Sequence, residues 1–101
     1  MYDLSLETSY FPAQKDAEIR DITVGDLLRE IAAEYPDQSG MVEISDAGDA
    51  PRDWTYAELL AVSDELARSL ARRFSPGERI VVWAPNIPEW IFMQYACGLT
   101  G

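Results

Sequence analysis

The stretches that decide the fold are WTYAELL at Trp54–Leu60 and PGERIVVWAPNIPEWIFMQYACGLTG at Pro76–Gly101. An amphipathic run joins them, so the pattern predicts a helix, a tight loop, a strand buried on both faces, a second loop and a buried helix. A parallel β-α pair needs a second strand to complete its unit, and the pattern reaches Gly101 without one. We therefore expect an α/β fold in which these 101 residues are the opening part of a larger protein.

The predicted strand, Ile80–Ala84, is apolar at every position, which is typical of a parallel strand covered on both faces. After it, Asn86 is predicted to cap the next helix, with Glu89 three residues later. Asn86 also follows the carboxyl end of the strand, where open α/β sheets bind ligands, so a binding role stays open. From Trp90 to Leu99 nearly every face of the helix is apolar, which indicates a helix enclosed within a larger body.

Another helix is predicted after Thr23, which forms with Asp26 a capping box that has Asp in place of Glu. Pro36 ends this helix because the residue before a proline avoids the helical conformation. Its apolar residues recur at helical spacing as one stripe that we expect to be buried: Val24, Leu27, Leu28, Ile31, Ala32 and Tyr35.

The helix that starts in WTYAELL has the strongest capping box, formed by Thr55 and Glu58, and is predicted to run to about Arg73. Arg72 and Arg73 would then complement the dipole in its last turn. The apolar residues expected on its buried face are Leu59, Val62, Leu66, Ala67, Leu70 and Phe74.

Between these two helices a small hairpin is predicted. Met41–Ser45 alternates apolar and polar residues, and Arg52–Trp54 can return as its partner strand after a turn rich in Gly, Asp and Pro. The fold thus contains a hairpin, one parallel-type strand and three helices. Residues 1–22 lack sustained periodicity and are expected to form an N-terminal arm, whereas residues 23–101 form one structural unit.

Composition and charge exclude several functions. The net charge is −10, which argues against nucleic-acid binding and against docking on anionic membranes. Residues 1–53 carry 13 of the 18 acidic side chains, which indicates either an acidic partner surface or a solvated exterior. The most apolar stretch, Ile87–Leu99, is too short to span a bilayer. The N-terminal residues carry acidic side chains and no apolar core segment, so a cytoplasmic location is expected.

The search for catalytic chemistry finds little. The chain has no histidine, so Ser63 and Ser69 have no partner for a Ser-His arrangement, and the lone Cys97 lies in an apolar helix. The six glycines form no phosphate-binding loop, and the lone lysine, Lys15, has none beside it. Four aromatic residues fit either an apolar ligand site or core packing: Trp83, Trp90, Phe92 and Tyr95. We assign no catalytic, cofactor-binding or metal-binding residue.

Several short motifs, taken in order, resemble the start of the adenylate-forming enzymes. They are Trp54-Thr55-Tyr56-Ala57-Glu58-Leu59, then Ala67 and Leu70, then Pro76-Gly77-Glu78-Arg79-Ile80-Val81, then Asn86 and Glu89. Glu78 stands where this family more often has Asp. The phrase WAPNIPEW at Trp83–Trp90 is most similar to fatty acyl-CoA synthetases, and the resemblance spans roughly residues 23–101.

The resemblance implies a full-length enzyme that uses ATP and Mg²⁺ to convert a carboxylic acid into an acyl-adenylate and then transfers the acyl group to coenzyme A. The family's phosphate loop, ribose-binding carboxylate and catalytic lysine match no position here. The resemblance therefore implies that these residues are scaffold, bind no cofactor and are inactive alone, and that the acid is selected elsewhere.

Two other interpretations stay open. One is a freestanding acidic α/β interaction module without catalysis, and the other is an adenylating ligase for a different acid, such as an aryl acid. Because the predicted strand lacks its neighbour and the last helix lacks a cover, we also expect the 101-residue chain to self-associate.

Overall fold

The computed structural model describes residues 15–44 and 48–101. It contains three helices and one two-stranded sheet: α1 (Val24–Glu34), β1 (Ser39–Glu43), β2 (Arg52–Thr55), α2 (Tyr56–Ala71) and α3 (Pro88–Thr100). The three predicted helices and the hairpin are confirmed. Most of the expected arm, residues 1–22, lies outside the described residues, so that boundary stays a prediction.

Both predicted N-caps are present. The Oγ1 of Thr23 accepts a hydrogen bond of 3.1 Å from the backbone N–H of Asp26. The Asp26 carboxylate accepts from the Thr23 hydroxyl instead of from its backbone, so only half of the first capping box forms. The second box is complete, because Thr55 Oγ1 accepts from the Glu58 N–H at 3.2 Å and the Glu58 carboxylate accepts from the Thr55 N–H at 2.9 Å.

The end of α2 differs from the prediction by two residues. The helix ends at Ala71 with Arg72 as its C-cap, so the basic residue in its last turn is Arg68. Phe74 N–H donates to the Leu70 carbonyl at 2.9 Å, which continues the hydrogen bonding one turn beyond the assigned end. Helix ends commonly fray over one or two residues, which accounts for the difference.

The hairpin is antiparallel and irregular. Met41 pairs with Trp54 and Glu43 pairs with Arg52, and the register shifts between Ser39 and Met41. The first strand begins two residues before the predicted Met41–Ser45 and ends at Glu43, and Ser45 itself lies outside the described residues.

The core has two connected parts, and α2 contributes to both. Leu28 of α1, Leu59 of α2 and Phe92 of α3 form one cluster, and the ring of Trp54 meets Phe92 edge-on with centroids 5.5 Å apart. The other cluster joins Ala67 and Leu70 of α2 to Ala96 of α3. The hairpin and the two outer helices therefore all pack around α2.

Two of the predicted buried stripes are only partly buried. In α1 the enclosed residues are Gly25, Leu28 and Ala32, whereas Val24, Leu27 and Tyr35 are exposed. In the stripe predicted for the next helix, Val62 of α2 is likewise exposed, as is Phe74 beyond the end of α2. Helical spacing gives the side of the helix on which a residue lies, but burial also needs a neighbouring element, and the described residues supply one for only part of each stripe.

The expected parallel strand at Ile80–Ala84 is not confirmed. Residues 79–85 have no regular secondary structure, and the sheet formed by the described residues contains only β1 and β2. The expectation that both faces of this segment are buried is wrong, because Val81 is 89% exposed and Trp83 is 99% exposed. A strand needs hydrogen bonds to a neighbouring strand, and none of the described residues offers one here.

We expect Thr55→Ala to lower the free energy of unfolding by about 1 kcal/mol, because it removes the side-chain acceptor of the complete capping box. Thr55→Ser keeps the hydroxyl and should retain most of the stability. Urea unfolding followed by circular dichroism measures both. Equal losses in the two variants would contradict the capping role.

Helices α1 and α3 approach most closely at two glycines. A methyl group on Gly25 would lie 2.9 Å from the Gly98 carbonyl oxygen, whereas one on Gly98 would meet nothing closer than 3.9 Å. Gly25→Ala should therefore destabilise the fold by about 1–3 kcal/mol through overpacking. Gly98→Ala should stabilise it by roughly 0.5–1 kcal/mol, because glycine weakens a helix interior. Thermal unfolding compares them, and a stabilising Gly25→Ala would contradict the close approach.

Ser63 is fully buried in α2, and its hydroxyl has no hydrogen-bond partner among the described residues. Ser63→Ala should stabilise the fold by about 1 kcal/mol, because a buried hydroxyl without a partner costs free energy. Ser69→Ala on the same helix is the matched control, since the Ser69 hydroxyl is exposed and donates to the Glu65 carbonyl. A clear destabilisation by Ser63→Ala in urea unfolding would show that this hydroxyl has a partner.

Candidate functional site

Asn86 lies at the end of a groove of about 310 Å³ between β1 and the start of α3. Its other lining residues are Met41, Val42, Glu43, Ile44, Ile87, Pro88 and Ile91. The predicted capping role of Asn86 is wrong, because the N-cap of α3 is Ile87 and no side chain caps this helix. Asn86 is one residue too early in the chain to be the cap, and Pro88 occupies the first turn of the helix.

The charged groups beside this groove are already paired. Arg52 forms an ion pair with Glu43 across the hairpin, lies 3.9 Å from the Glu89 carboxylate and sits over the Trp54 ring at 5.1 Å. The hydrogen bond from Arg52 holds the pKa of Glu43 below its usual value, and the same bond raises the pKa of Arg52. A carboxylate with a lowered pKa is a poor proton acceptor near neutral pH. This cluster therefore joins the hairpin to α3, and Glu43 within it is a poor candidate for a general base.

The four aromatic candidates do not converge on one ligand site. Phe92 is buried in the core, and Tyr95 packs, partly buried, against the same cluster. Trp90 is partly exposed, and Trp83 projects into solvent. The core-packing interpretation is confirmed for Phe92 and Tyr95 and is wrong for Trp83.

A second cavity, of about 210 Å³, lies between the ends of α2 and α3. Leu70, Phe74, Ile80 and the partly buried Cys97 give it an apolar lining, together with Thr100. The Thr100 hydroxyl hydrogen-bonds to the carbonyls of Ala96 and Cys97, each at 3.1 Å. The Thr100 hydroxyl is therefore already hydrogen-bonded within the helix. The cavity fits an apolar side chain better than a reacting substrate.

Sequence reasoning missed Ser63 as a core residue. Ser63 lies four residues from Leu59 and four from Ala67, which places it on the buried face of α2. This spacing was the sequence signal that could have predicted its burial. The chain has no histidine, so this buried hydroxyl has no imidazole to activate it. Among residues 15–44 and 48–101, no group of three or more His, Cys, Asp or Glu side chains could hold a metal ion.

The geometry thus describes a packed scaffold, and comparison with known proteins shows its family. The AMP-binding enzyme family matches residues 28–101, which is most of the chain. The chain belongs to this family. Its α1–α3 scaffold is therefore a segment of an AMP-binding enzyme, as the motifs around Trp54 and Asn86 indicate.

Several curated relatives have names that include acyl-CoA chemistry. A mitochondrial medium-chain acyl-CoA ligase of Danio rerio is 33% identical over 98 residues, which cover 96% of this chain and 16% of that protein. A putative acyl-CoA synthetase of Bacillus subtilis is 33% identical over 86 residues, which cover 84% of this chain and 15% of that protein. An acetyl-coenzyme A synthetase of Xanthobacter autotrophicus is 35% identical over 66 residues, covering 64% and 10% respectively.

The chain spans about one sixth of the length of the medium-chain acyl-CoA ligase and of the putative acyl-CoA synthetase to which it is similar. No solved structure matches it significantly. Within the part of the chain that the structure describes, no helix is both long enough and apolar enough to cross a membrane.

Since Asn86 does not cap α3, we expect Asn86→Ala to change the free energy of unfolding by no more than about 0.5 kcal/mol, as is usual for surface substitutions. Thr55→Ala, which removes a true cap, is the matched comparison in the same urea titration. A loss of about 1 kcal/mol at Asn86 would restore the capping interpretation.

Proposed function

We propose that these residues are the opening segment of an AMP-forming acyl-CoA synthetase. The full-length enzyme activates a fatty acid or related carboxylic acid with ATP and Mg²⁺. The acid's carboxylate oxygen attacks the α-phosphorus of ATP and releases pyrophosphate, and the thiol of coenzyme A then displaces AMP from the acyl-adenylate. The observation that carries this proposal is the family match over residues 28–101, supported by the relatives named as acyl-CoA ligases.

The proposed role of the 101 residues is to provide scaffold without binding a cofactor. The charged side chains around Arg52 are paired with one another. Of the candidate aromatic residues, Phe92 and Tyr95 pack in the core whereas Trp83 is exposed. Phosphoryl-group chemistry needs positioned cations and amide donors around the phosphates. The proposal therefore assigns ATP, Mg²⁺ and coenzyme A to residues of the full-length protein outside this segment, and it assigns no catalytic, cofactor-binding or metal-binding residue within it.

The acid substrate is also proposed to be selected outside this segment. Relatives named for medium-chain and for acetyl substrates match the segment at similar identity, 33% and 35%. Proteins named for such different acids match this segment at similar sequence identity. The segment is therefore a poor candidate for the pocket that selects acyl-chain length. An aryl-acid ligase with the same scaffold is the second candidate.

We also propose a domain organisation for the chain. Residues 1–22 form an arm, and residues 23–101 belong to the large N-terminal domain of the enzyme. We place the protein in the cytoplasm, where a lone thiol such as Cys97 stays reduced.

The 101-residue chain alone is proposed to self-associate, because Val81 and Trp83 present an exposed apolar surface. Light scattering over a concentration series tests this, and a strictly monomeric species at high concentration would contradict it.

The test of function is AMP formation by the full-length protein with ATP and Mg²⁺, with and without coenzyme A. The acids range from short to long chain and include several aryl acids. We expect acid-dependent AMP formation that needs coenzyme A for turnover. The purified 101-residue chain, assayed for pyrophosphate release, is the control and should be inactive.

Each outcome of this assay separates the candidates. Activity on aryl acids alone would remove the fatty-acid assignment and leave the adenylating class. No acid-dependent AMP from a soluble, folded full-length protein would exclude both, and would favour the acidic interaction module. Pyrophosphate release by the 101-residue chain would overturn its role as scaffold.

A further inference from the structure

Helix α1 and its C-cap carry a line of apolar side chains that the described residues leave largely open. Val24 is 57% exposed, Leu27 39% and Tyr35 41%, and Ile31 is partly buried. These four residues follow one another at intervals of three, four and four, so they lie along one side of the helix, which we call the α1 stripe. Single exposed apolar residues are common on protein surfaces, whereas an aligned set is typical of a surface that another segment covers.

The residues before α1 turn back alongside the helix. Arg20 forms an ion pair with Glu30, although α1 begins only at Val24. Glu30 lies about 9 Å along the helix axis from Val24, because a helix rises about 1.5 Å per residue. A chain that led straight away from the start of α1 would carry Arg20 out of reach of Glu30. Residues 18–23 therefore bend back, and together with the Glu30 side of α1 they line an open groove of about 630 Å³.

This bend brings the preceding part of the chain to the edge of the α1 stripe. Glu30 lies three residues after Leu27, and residues three apart are neighbours on a helix surface. Phe11, which lies outside the described residues, precedes Arg20 by nine residues. At up to about 3.5 Å per residue these nine residues span about 30 Å, whereas α1 is only about 16 Å long. Phe11 can therefore reach any part of the stripe.

The sequence before Lys15 suits such a surface. Residues 8–14, TSYFPAQ, carry no charged side chain and include the adjacent aromatic residues Tyr10 and Phe11. A covered aromatic side chain buries roughly 150–250 Å², so two of them are enough to cover most of the α1 stripe. The exposed carboxylates of Glu30 and Glu34 border the stripe, and an uncharged segment meets them without like-charge repulsion.

A second copy of the chain is a weaker candidate for covering the stripe. Pairing two α1 stripes would bring Glu30 and Glu34 of one copy toward the acidic side chains of the other, and like charges disfavour association. A segment tethered to the same chain has an effective concentration in the millimolar range. A separate copy at ordinary protein concentration does not reach that value, so the tethered segment is favoured.

We propose that residues 8–14 form a strap across α1, with Tyr10 and Phe11 packed on the α1 stripe. The ion pair between Arg20 and Glu30 fixes the bend from which the strap starts. The strap gives the expected N-terminal arm a defined role, because it shields the apolar side of α1 from solvent and from other chains. This inference goes beyond the proposed function and holds whether or not the full-length protein is a ligase.

The test measures how fast a thiol on the stripe reacts in the full-length protein. Leu27→Cys is treated with iodoacetamide, and mass spectrometry of the peptide that carries residue 27 separates this thiol from all others. Deleting residues 1–14, or combining Tyr10→Ser with Phe11→Ser, should speed the reaction at least about tenfold, because thiol reactivity depends on access. Gln14→Ala is the matched control within the strap and should leave the rate unchanged. Val42→Cys, on the exposed side of β1, is the control for general loosening.

Each outcome supports or overturns the strap. Faster modification at position 27 but not at position 42, after the two aromatic residues are replaced, supports it. An unchanged rate at position 27 after deletion of residues 1–14 overturns it, whether the stripe is open or another part of the full-length protein covers it. Equal acceleration at both positions, or protection that rises with protein concentration as a second copy would give, also overturns it. Acid-dependent AMP formation decides the proposed function separately.

Discussion

The packing of α2 against α3 is the interaction on which the rest of the structure depends. Along one face of α2, Leu59, Ser63, Ala67 and Leu70 are buried, and Ala96 of α3 is completely enclosed against this face. Small side chains at the middle of the contact let the helices approach, while Leu59 and Phe92 supply apolar area at one end. The hydroxyl of Ser63 on the same face of α2 is buried and has no hydrogen-bond partner among the described residues, which costs free energy.

The other elements add to this pair through specific local features. Helix α1 crosses α3 where Gly25 removes a side chain that would meet the Gly98 carbonyl. The hairpin attaches through Trp54, whose ring packs on Phe92, and through Arg52, which is paired with Glu43 and lies near Glu89 of α3. Exposed ion pairs contribute little to stability. The contact between Trp54 and Phe92 therefore stabilises the attachment of the hairpin more than the ion pairs do, and the ion pairs orient the hairpin.

The same features bear on the proposal that this segment of the AMP-binding enzyme family is scaffold. Its groove carboxylate, Glu43, is ion-paired with Arg52, its buried serine has no histidine to act as a base, and its apolar cavity accepts a side chain more readily than a substrate. What the segment presents to its surroundings is structural: exposed apolar residues at Val81 and Trp83 and an unpaired backbone beside them. Such surfaces suit a segment that other parts of a longer chain cover, which agrees with its spanning about one sixth of its relatives.

The sequence by itself determined the features that depend on neighbouring residues: the caps at Thr23 and Thr55 and the three helices. Capping hydrogen bonds and helical turns form within a few residues, so a local pattern is enough to predict them. Only the tertiary structure decided that Asn86 caps nothing, that half of the α1 stripe is exposed, and that Ile80–Ala84 lacks regular strand pairing. Burial and strand pairing need a partner that is distant in the chain. An apolar run indicates that such a partner is needed but does not show which residues provide it.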